Sequence, residues 1–283
     1  MGSEMKTGFA AWHYPHRSVI ENIDFFSGKG FESISFSGHC ILDTLKNAGD
    51  ETAKHIRRSG LVLTLHYTLP SSADPEAEAE FREGIRGFGN WQQKHGLVEN
   101  LTFDVPDSVR GDIAKYVDFA LDEVPDCRIG LEDYGLTEAE LEQLARYENN
   151  ARFGHLIDIG HLFIRLRGKR QNGATLFRHS GFEGETADKP DAATFLAAFK
   201  SKTFPVWEIH LHNNDGVDDT HLFLEDGAAD IAQVAKAIRD FGFGGIVTIE
   251  SAPGYRFPSY GKEADDGILR TLAYWKKVWR ETD

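Results

Sequence analysis

Residues 206 to 227 read VWEIHLHNNDGVDDTHLFLEDG. The opening VWEIHLH alternates with period two and is rich in β-formers, so it predicts a short strand with Glu208, His210 and His212 on one face. The Asn-, Asp- and Gly-rich loop that follows completes a set comprising His210, His212, Asp215, Asp218, Asp219 and His221. Ionisable groups gathered in this way at a strand end read as a metal site, with a solvated polar loop as the alternative. Imidazole suits zinc, iron, nickel or copper and carboxylate suits manganese or magnesium, so the mixture points to a divalent ion of borderline character rather than to calcium.

Working outward, the same unit recurs. Short apolar runs near 6–12, 31–37, 61–66, 98–104, 128–132, 153–158, 206–212 and 245–250 predict strands. Segments of helical spacing lie between them, near 20–26, 76–95, 112–124, 137–148, 192–201 and 230–241, with a closing helix over DDGILRTLAYWKKVW. Thr137 and Glu140 have capping-box spacing, and Gly242 is placed to end the helix before it. Eight strand–helix alternations in 283 residues predict an α/β fold, a (β/α)8 TIM barrel occupying 1–283 as a single domain.

Composition narrows the function. A formal net charge of −14, from 45 acidic and 31 basic residues, provides no overall field to gather a phosphate backbone, which argues against nucleic acid as a partner. Cys40 and Cys127 have neither disulfide-framework nor CxxC spacing, which fits a reducing, cytoplasmic setting. No stretch has the length and apolarity of a membrane span, nor does the start resemble a targeting peptide. The long connection over 168–191 has the length of a lid. Arg165, Arg167, Lys169 and Arg170 form a basic island at its start, a solvated run or a clamp for an anionic substrate group.

Active sites of this barrel gather at the C-terminal ends of its strands. His66 closes LVLTLH, Asp104 closes NLTFD, Glu132 closes IGLE, Asp158 closes HLID, His210 lies near the end of WEIHLH and Glu250 closes IVTIE. Each strand is otherwise apolar, so the set converges on one mouth.

The residues IGLE, LIDIGH, the His-rich strand followed by DxH, and IVTIES together resemble the xylose-isomerase-like TIM barrels, which include endonuclease IV and metal-dependent sugar isomerases and epimerases. The resemblance spans about residues 6 to 280 and is strongest from Gly130 to Ser251. It implies a divalent ion (Mn, Zn, Co, Mg or Fe) held by Glu132, Asp158, His210 and Glu250. Asp158 with His161, and Asp219 with His221, resemble further ligands of the trinuclear zinc cluster in endonuclease IV. The chain departs from the pattern at Asp104, where endonuclease IV has His, and at Glu132-Asp133, where Glu-Asn is frequent. It departs again at His210-Leu211-His212-Asn213-Asn214 and at Leu224-Glu225-Asp226-Gly227.

Two enzyme classes and one binding class follow from this resemblance. The first is an isomerase or epimerase of a small sugar or polyol, in which Glu132 and Glu250 move a proton and His161 assists. In that reading His66, Asp104, His161, Asp219 and His221 are further ligands of metal or substrate, and Arg256 meets a substrate phosphate. Trp12, His13, Tyr14, Phe36, Tyr67, Phe163, Tyr255 and Phe257 lie near strand ends, where they form an apolar wall against a sugar ring or, for several of them, ordinary barrel packing. The second class is a multi-metal phosphodiester hydrolase of the endonuclease IV kind, and the third a binding module without turnover. The acidic balance and the Asp at position 104 favour the first. The sequence leaves assembly open, with a homo-oligomer admitted.

Overall fold

The computed structural model describes residues 5–70, 74–132, 136–167, 188–255 and 260–282. Its strands are β1 (Lys6–Ala10), β2 (Ser33–Ser37), β3 (Val62–Thr68), β4 (Val98–Asp104), β5 (Arg128–Glu132), β6 (Phe153–Asp158), β7 (Val206–Leu211) and β8 (Ile246–Ile249). All pair in parallel and in chain order, and β8 returns to β1 through Thr7 opposite Val247, so the barrel closes without an edge. The helices are α1 (Val19–Phe26), α2 (Gly38–Ser59), α3 (Pro75–His95), α4 (Ile113–Glu123), α5 (Glu138–Leu144), α6 (Ile159–Leu166), α7 (Ala192–Lys200), α8 (Ile231–Phe241) and α9 (Gly261–Glu281).

Sequence chemistry accounts for these boundaries. Thr137 caps α5 by accepting from the Glu140 amide, and the Glu140 carboxylate returns the bond, the capping box expected from the spacing. Gly242 ends α8 in the left-handed region, φ +74°, which carries little penalty for glycine. Buried Val, Ile, Leu and Phe of the strands meet the inner faces of the helices, placing the main apolar layer outside the barrel wall.

Four elements depart from the sequence expectation. The helix over Gly38–Ser59 is interrupted at Ala48, whose φ of −140° is non-helical, and the indole of Trp91 donates to the Gly49 carbonyl there at 3.0 Å. Gly49 and the polar run around it hide this long helix from a periodicity reading. The helix Ile159–Leu166 begins directly on β6, so it reads in sequence as a continuation of an apolar strand. The segment expected to be one helix over 137–148 is shorter, with a 3-10 turn at Ala145–Tyr147. Strand β3 also continues to Thr68, two residues beyond His66. Of the basic island, Arg167 donates to the Asp215 carbonyl at 3.0 Å and so ties α6 to the loop after β7. Lys169, Arg170 and the loop through 187 lie outside the described residues, as does the lid expected there.

No helix among the described residues is long and apolar enough to cross a membrane. Cys40 is exposed, whereas Cys127 is buried and its thiol is pushed up to about 12 by that burial. Only a thiolate attacks readily, so a disulfide-based thiol reagent at neutral pH should label one cysteine per native chain and both after denaturation. Rapid labelling of both in the native protein would contradict the burial of Cys127.

Candidate metal centre

The register of the barrel assembles the mouth. Asp158 lies opposite His210 across β6 and β7, and His210 lies opposite Thr248 across β7 and β8. Glu132 ends β5, Glu250 follows β8, and His161 stands in the first turn of α6. Asp158 is also the N-cap of that helix: its Oδ1 accepts from the His161 amide at 2.7 Å. The spacing that sets a capping side chain against the third helical amide therefore sets His161 beside it as well.

The potential ligand atoms fall into overlapping groups, each spanning no more than 4.8 Å. Glu132, Asp158 and His161 form one, Asp158, His210 and Glu250 a second, and His66, Glu132 and His210 a third. His161, His212, Asp219 and His221 form a fourth, and His13, His221 and Glu250 a fifth. The four ligands implied by the resemblance thus come together as two groups joined at Asp158. His161 bridges onward, with Nδ1 at 2.9 Å from Glu132 Oε1 and Nε2 at 3.0 Å from Asp219 Oδ2.

Charge is the notable property of this cluster. Glu132, Asp158, Asp219 and Glu250 are largely withdrawn from water, and among the described residues every ion-pair partner of these four is a histidine. Glu132 is pushed up to about 7 by burial and then by the nearby Asp104 carboxylate, against the pull of His161. Burial also acts upward on Glu250, yet His210 and His221 outweigh it and hold the carboxyl well below its usual range. His161 and His210 are lowered by burial but raised further by the carboxylates facing them, and both finish well above an ordinary imidazole. His221 rises to about 9 for the same reason, with Glu250 and Asp219 as the sources. Proton and divalent cation compete for one set of lone pairs, so metal binding here expels protons.

The residues fit such an ion. Asp158 Oδ2, Asp219 Oδ1 and both ring nitrogens of His210 are buried without a hydrogen-bond partner, although His210 Nδ1 approaches Glu250 Oε2 to 2.9 Å. The donors are imidazole nitrogen and carboxylate oxygen throughout, the set that holds zinc, manganese, cobalt or iron.

Most sequence candidates converge. His66 sits at the rim of the group, with Nε2 3.2 Å from Asp104 and 3.4 Å from Glu132, and with Nδ1 2.9 Å from the Thr102 hydroxyl. The loop after β7 divides: Asp219 and His221 face the cluster, whereas Asp215 accepts from the Val217 and Asp218 amides as a turn and Asp218 is exposed. The two asparagines after His212 are structural. Asn213 bonds the Leu224 and Ala229 carbonyls, and Asn214 donates to the Gly160 carbonyl at 2.9 Å, which fixes the loop against α6. Glu225 pairs outward with Arg270 at 2.6 Å. Arg256 and Phe257 lie outside the described residues, as do Asp133 and the side chain of Tyr255.

The aromatic wall is smaller than expected. Trp12, half-buried, stacks on His66 at 5.4 Å between centroids and lies 5.7 Å from His210. Tyr14, Phe36, Tyr67 and Phe163 are buried in the apolar layer instead. Two residues take a more definite place than the sequence assigned them. His212, expected in the metal set from its period-two relation to His210, is fully buried with Nε2 3.1 Å from Asp158 Oδ1. His13, expected only as wall, holds Nε2 3.3 Å from Glu250 Oε1, a contact across 237 residues that local sequence does not carry.

No family model matches this chain. An uncharacterized protein of Methanocaldococcus jannaschii is 23% identical over 162 residues, 55% of this chain, and the chain spans 46% of that relative's length. Among solved structures, the IolI protein with a bound zinc atom aligns over 99% of both chains at a TM-score of 0.69 and 15% identity. A D-tagatose 3-epimerase-like protein aligns over 98% of this chain and 99% of its own, at TM-score 0.67 and 16% identity. The D-allulose 3-epimerase of Methylomonas sp., in complex with D-allulose, covers 98% of this chain and all of its own at TM-score 0.63 and 16% identity. The chain therefore has the eight-stranded TIM-barrel fold that these sugar epimerases and IolI share.

Asp158 belongs to two of the ligand groups and caps a helix. Replacing it with Ala should remove most bound divalent metal, as read by elemental analysis after dialysis, and lower stability by about 1 kcal/mol through the lost cap. Stoichiometric metal retained in Asp158→Ala would refute the assignment.

Proposed function

We propose that this protein is a divalent-metal-dependent isomerase or epimerase of a small sugar or polyol. The observation that carries the reading is that Glu132, from β5, and Glu250, after β8, each share a ligand group with Asp158. Two carboxylates thus neighbour Asp158 from different strand ends, the pair that this reading assigns to proton transfer. The likeness in fold to enzymes named for sugar epimerisation supports the substrate class. Zinc in IolI and the imidazole–carboxylate donor set support the cofactor, with Mn, Zn, Co, Mg and Fe as the candidate ions.

A divalent ion held by Glu132, Asp158, His210 and Glu250 would polarise the substrate carbonyl and stabilise the negative charge that develops on its oxygen, a contribution of several kcal/mol. The remaining chemistry belongs to the chain. One glutamate takes the proton from the carbon beside the carbonyl, and the other returns a proton to a neighbouring position or to the opposite face. His161, fixed between Glu132 and Asp219, orients a substrate hydroxyl, and Trp12 offers an apolar face at the rim. Free Cys40 and Cys127 fit a reducing compartment.

The four-membered group of His161, His212, Asp219 and His221 is the observation on the side of a multi-ion hydrolase. The formal net charge of −14 opposes a nucleic-acid substrate, and the epimerase reading accommodates the same residues as partners that orient ligands and hydroxyls.

Incubation of the metal-loaded protein with ketoses, aldoses and inosose-like polyols in deuterated water should place deuterium on the carbon beside the carbonyl. The signal should fall at least about 100-fold in Glu250→Gln with metal still bound. Absence of exchange across the panel, with metal-dependent cleavage of abasic-site DNA instead, would replace this reading by the hydrolase.

A further inference from the structure

Below the mouth, the barrel interior carries a further carboxylate that the proposed chemistry does not use. Glu208 is fully buried, and β7 projects it into the barrel on the same face as His210. Its Oε1 accepts from the Thr64 hydroxyl of β3 at 3.1 Å and from the Thr248 hydroxyl of β8 at 2.6 Å. Its Oε2 accepts from the Asn100 amide of β4 at 3.2 Å. Thr64, Asn100 and Thr248 are themselves fully buried. Branched aliphatic side chains ordinarily fill this layer of a TIM barrel. Burying a carboxylate in their place is costly even when its lone pairs are met, and three strands supply donors to meet them.

The position of Glu208 gives that arrangement a purpose. His210 Nε2 lies 3.6 Å from Glu208 Oε1, within ion-pair range though beyond a hydrogen bond, while His210 Nδ1 lies 2.9 Å from Glu250 Oε2 on the opposite edge of the ring. A negative charge behind Nε2 favours the tautomer with its proton there. The lone pair of Nδ1 is then directed at the group formed with Asp158 and Glu250. We propose that Glu208 is a positioning residue that fixes the ring and tautomer of His210 so that Nδ1 serves as the metal-binding nitrogen. The inference rests on the reading of His210 as a ligand. It adds Thr64, Asn100 and Thr248 as the frame that holds the carboxylate in place.

Glu208→Gln tests this, because it removes the charge and preserves the volume. The Asn100 Oδ1, which is buried without a hydrogen-bond partner, can accept from the new amide after a side-chain flip. Competitive titration of zinc and manganese against a chromophoric chelator should give an affinity about 10- to 100-fold below wild type, with circular dichroism unchanged. In zinc-loaded wild type, nitrogen-15 NMR should show His210 protonated on Nε2 and unprotonated on Nδ1, and this signature should be lost or mixed in Glu208→Gln. Should the Gln chain fail to fold, Thr248→Val keeps the charge, removes the shortest donor and should weaken zinc in the same direction. Wild-type affinity and an unchanged tautomer in the folded variant overturn the role of Glu208 alone. A wild-type chain that binds neither ion overturns the metal reading beneath it.

Discussion

Four carboxylates, Glu132, Asp158, Asp219 and Glu250, sit at the mouth of a closed barrel with histidines as their ion-pair partners, and the remainder of the site follows from that constraint. In neutral form those imidazoles cancel none of the buried negative charge; protonated, they cancel it at the expense of the lone pairs that make them ligands. A divalent cation resolves the conflict, since it supplies the charge and uses both kinds of lone pair. A cluster selected only for stability would draw on Lys or Arg, or would be apolar.

The fold delivers the constraint through a few residues with more than one duty. Asp158 ends a strand, caps α6 and joins two ligand groups, so the position of that helix and of His161 is set by the same atom that approaches the proposed ion. Asn213 and Asn214 fasten the loop after β7 to the start of α6, and Arg167 fastens it again at Asp215. His221, at a left-handed φ of +44°, donates from Nδ1 to the Glu250 carbonyl at 3.0 Å, which points its other nitrogen towards Asp219. Non-glycine residues adopt that backbone at some cost, so the loop keeps strain where it aims a functional side chain.

Much of this was legible in the sequence because strands in a parallel barrel are buried on both faces and read as apolar runs. An ionisable residue ending such a run stands out, which singled out His66, Asp104, Glu132, Asp158, His210 and Glu250, while the choice of four of them as ligands came from the family resemblance. The DxxH spacing of Asp158 and His161 was visible as ligand spacing but concealed that it is also the spacing of a helix cap, so α6 went unread. The kinked α2 was hidden by Gly49 and its polar neighbours. The contact of His13 with Glu250 depends on barrel closure between the first and last strands, and no local pattern encodes it. Tyr14, Phe36, Tyr67 and Phe163 followed the ordinary logic of packing, since an aromatic near a strand end turns into the helix layer as readily as into the mouth.

The account stands or falls on whether a divalent ion occupies this mouth. A crystal structure of the chain grown with zinc or manganese, with anomalous data collected on either side of the metal edge, answers that directly. The account predicts an anomalous peak at about 2.0–2.2 Å from His210 Nδ1 and from oxygens of Asp158 and Glu250. A peak bound only by exposed side chains outside the barrel mouth, or a mouth filled by water alone at saturating metal, would contradict it.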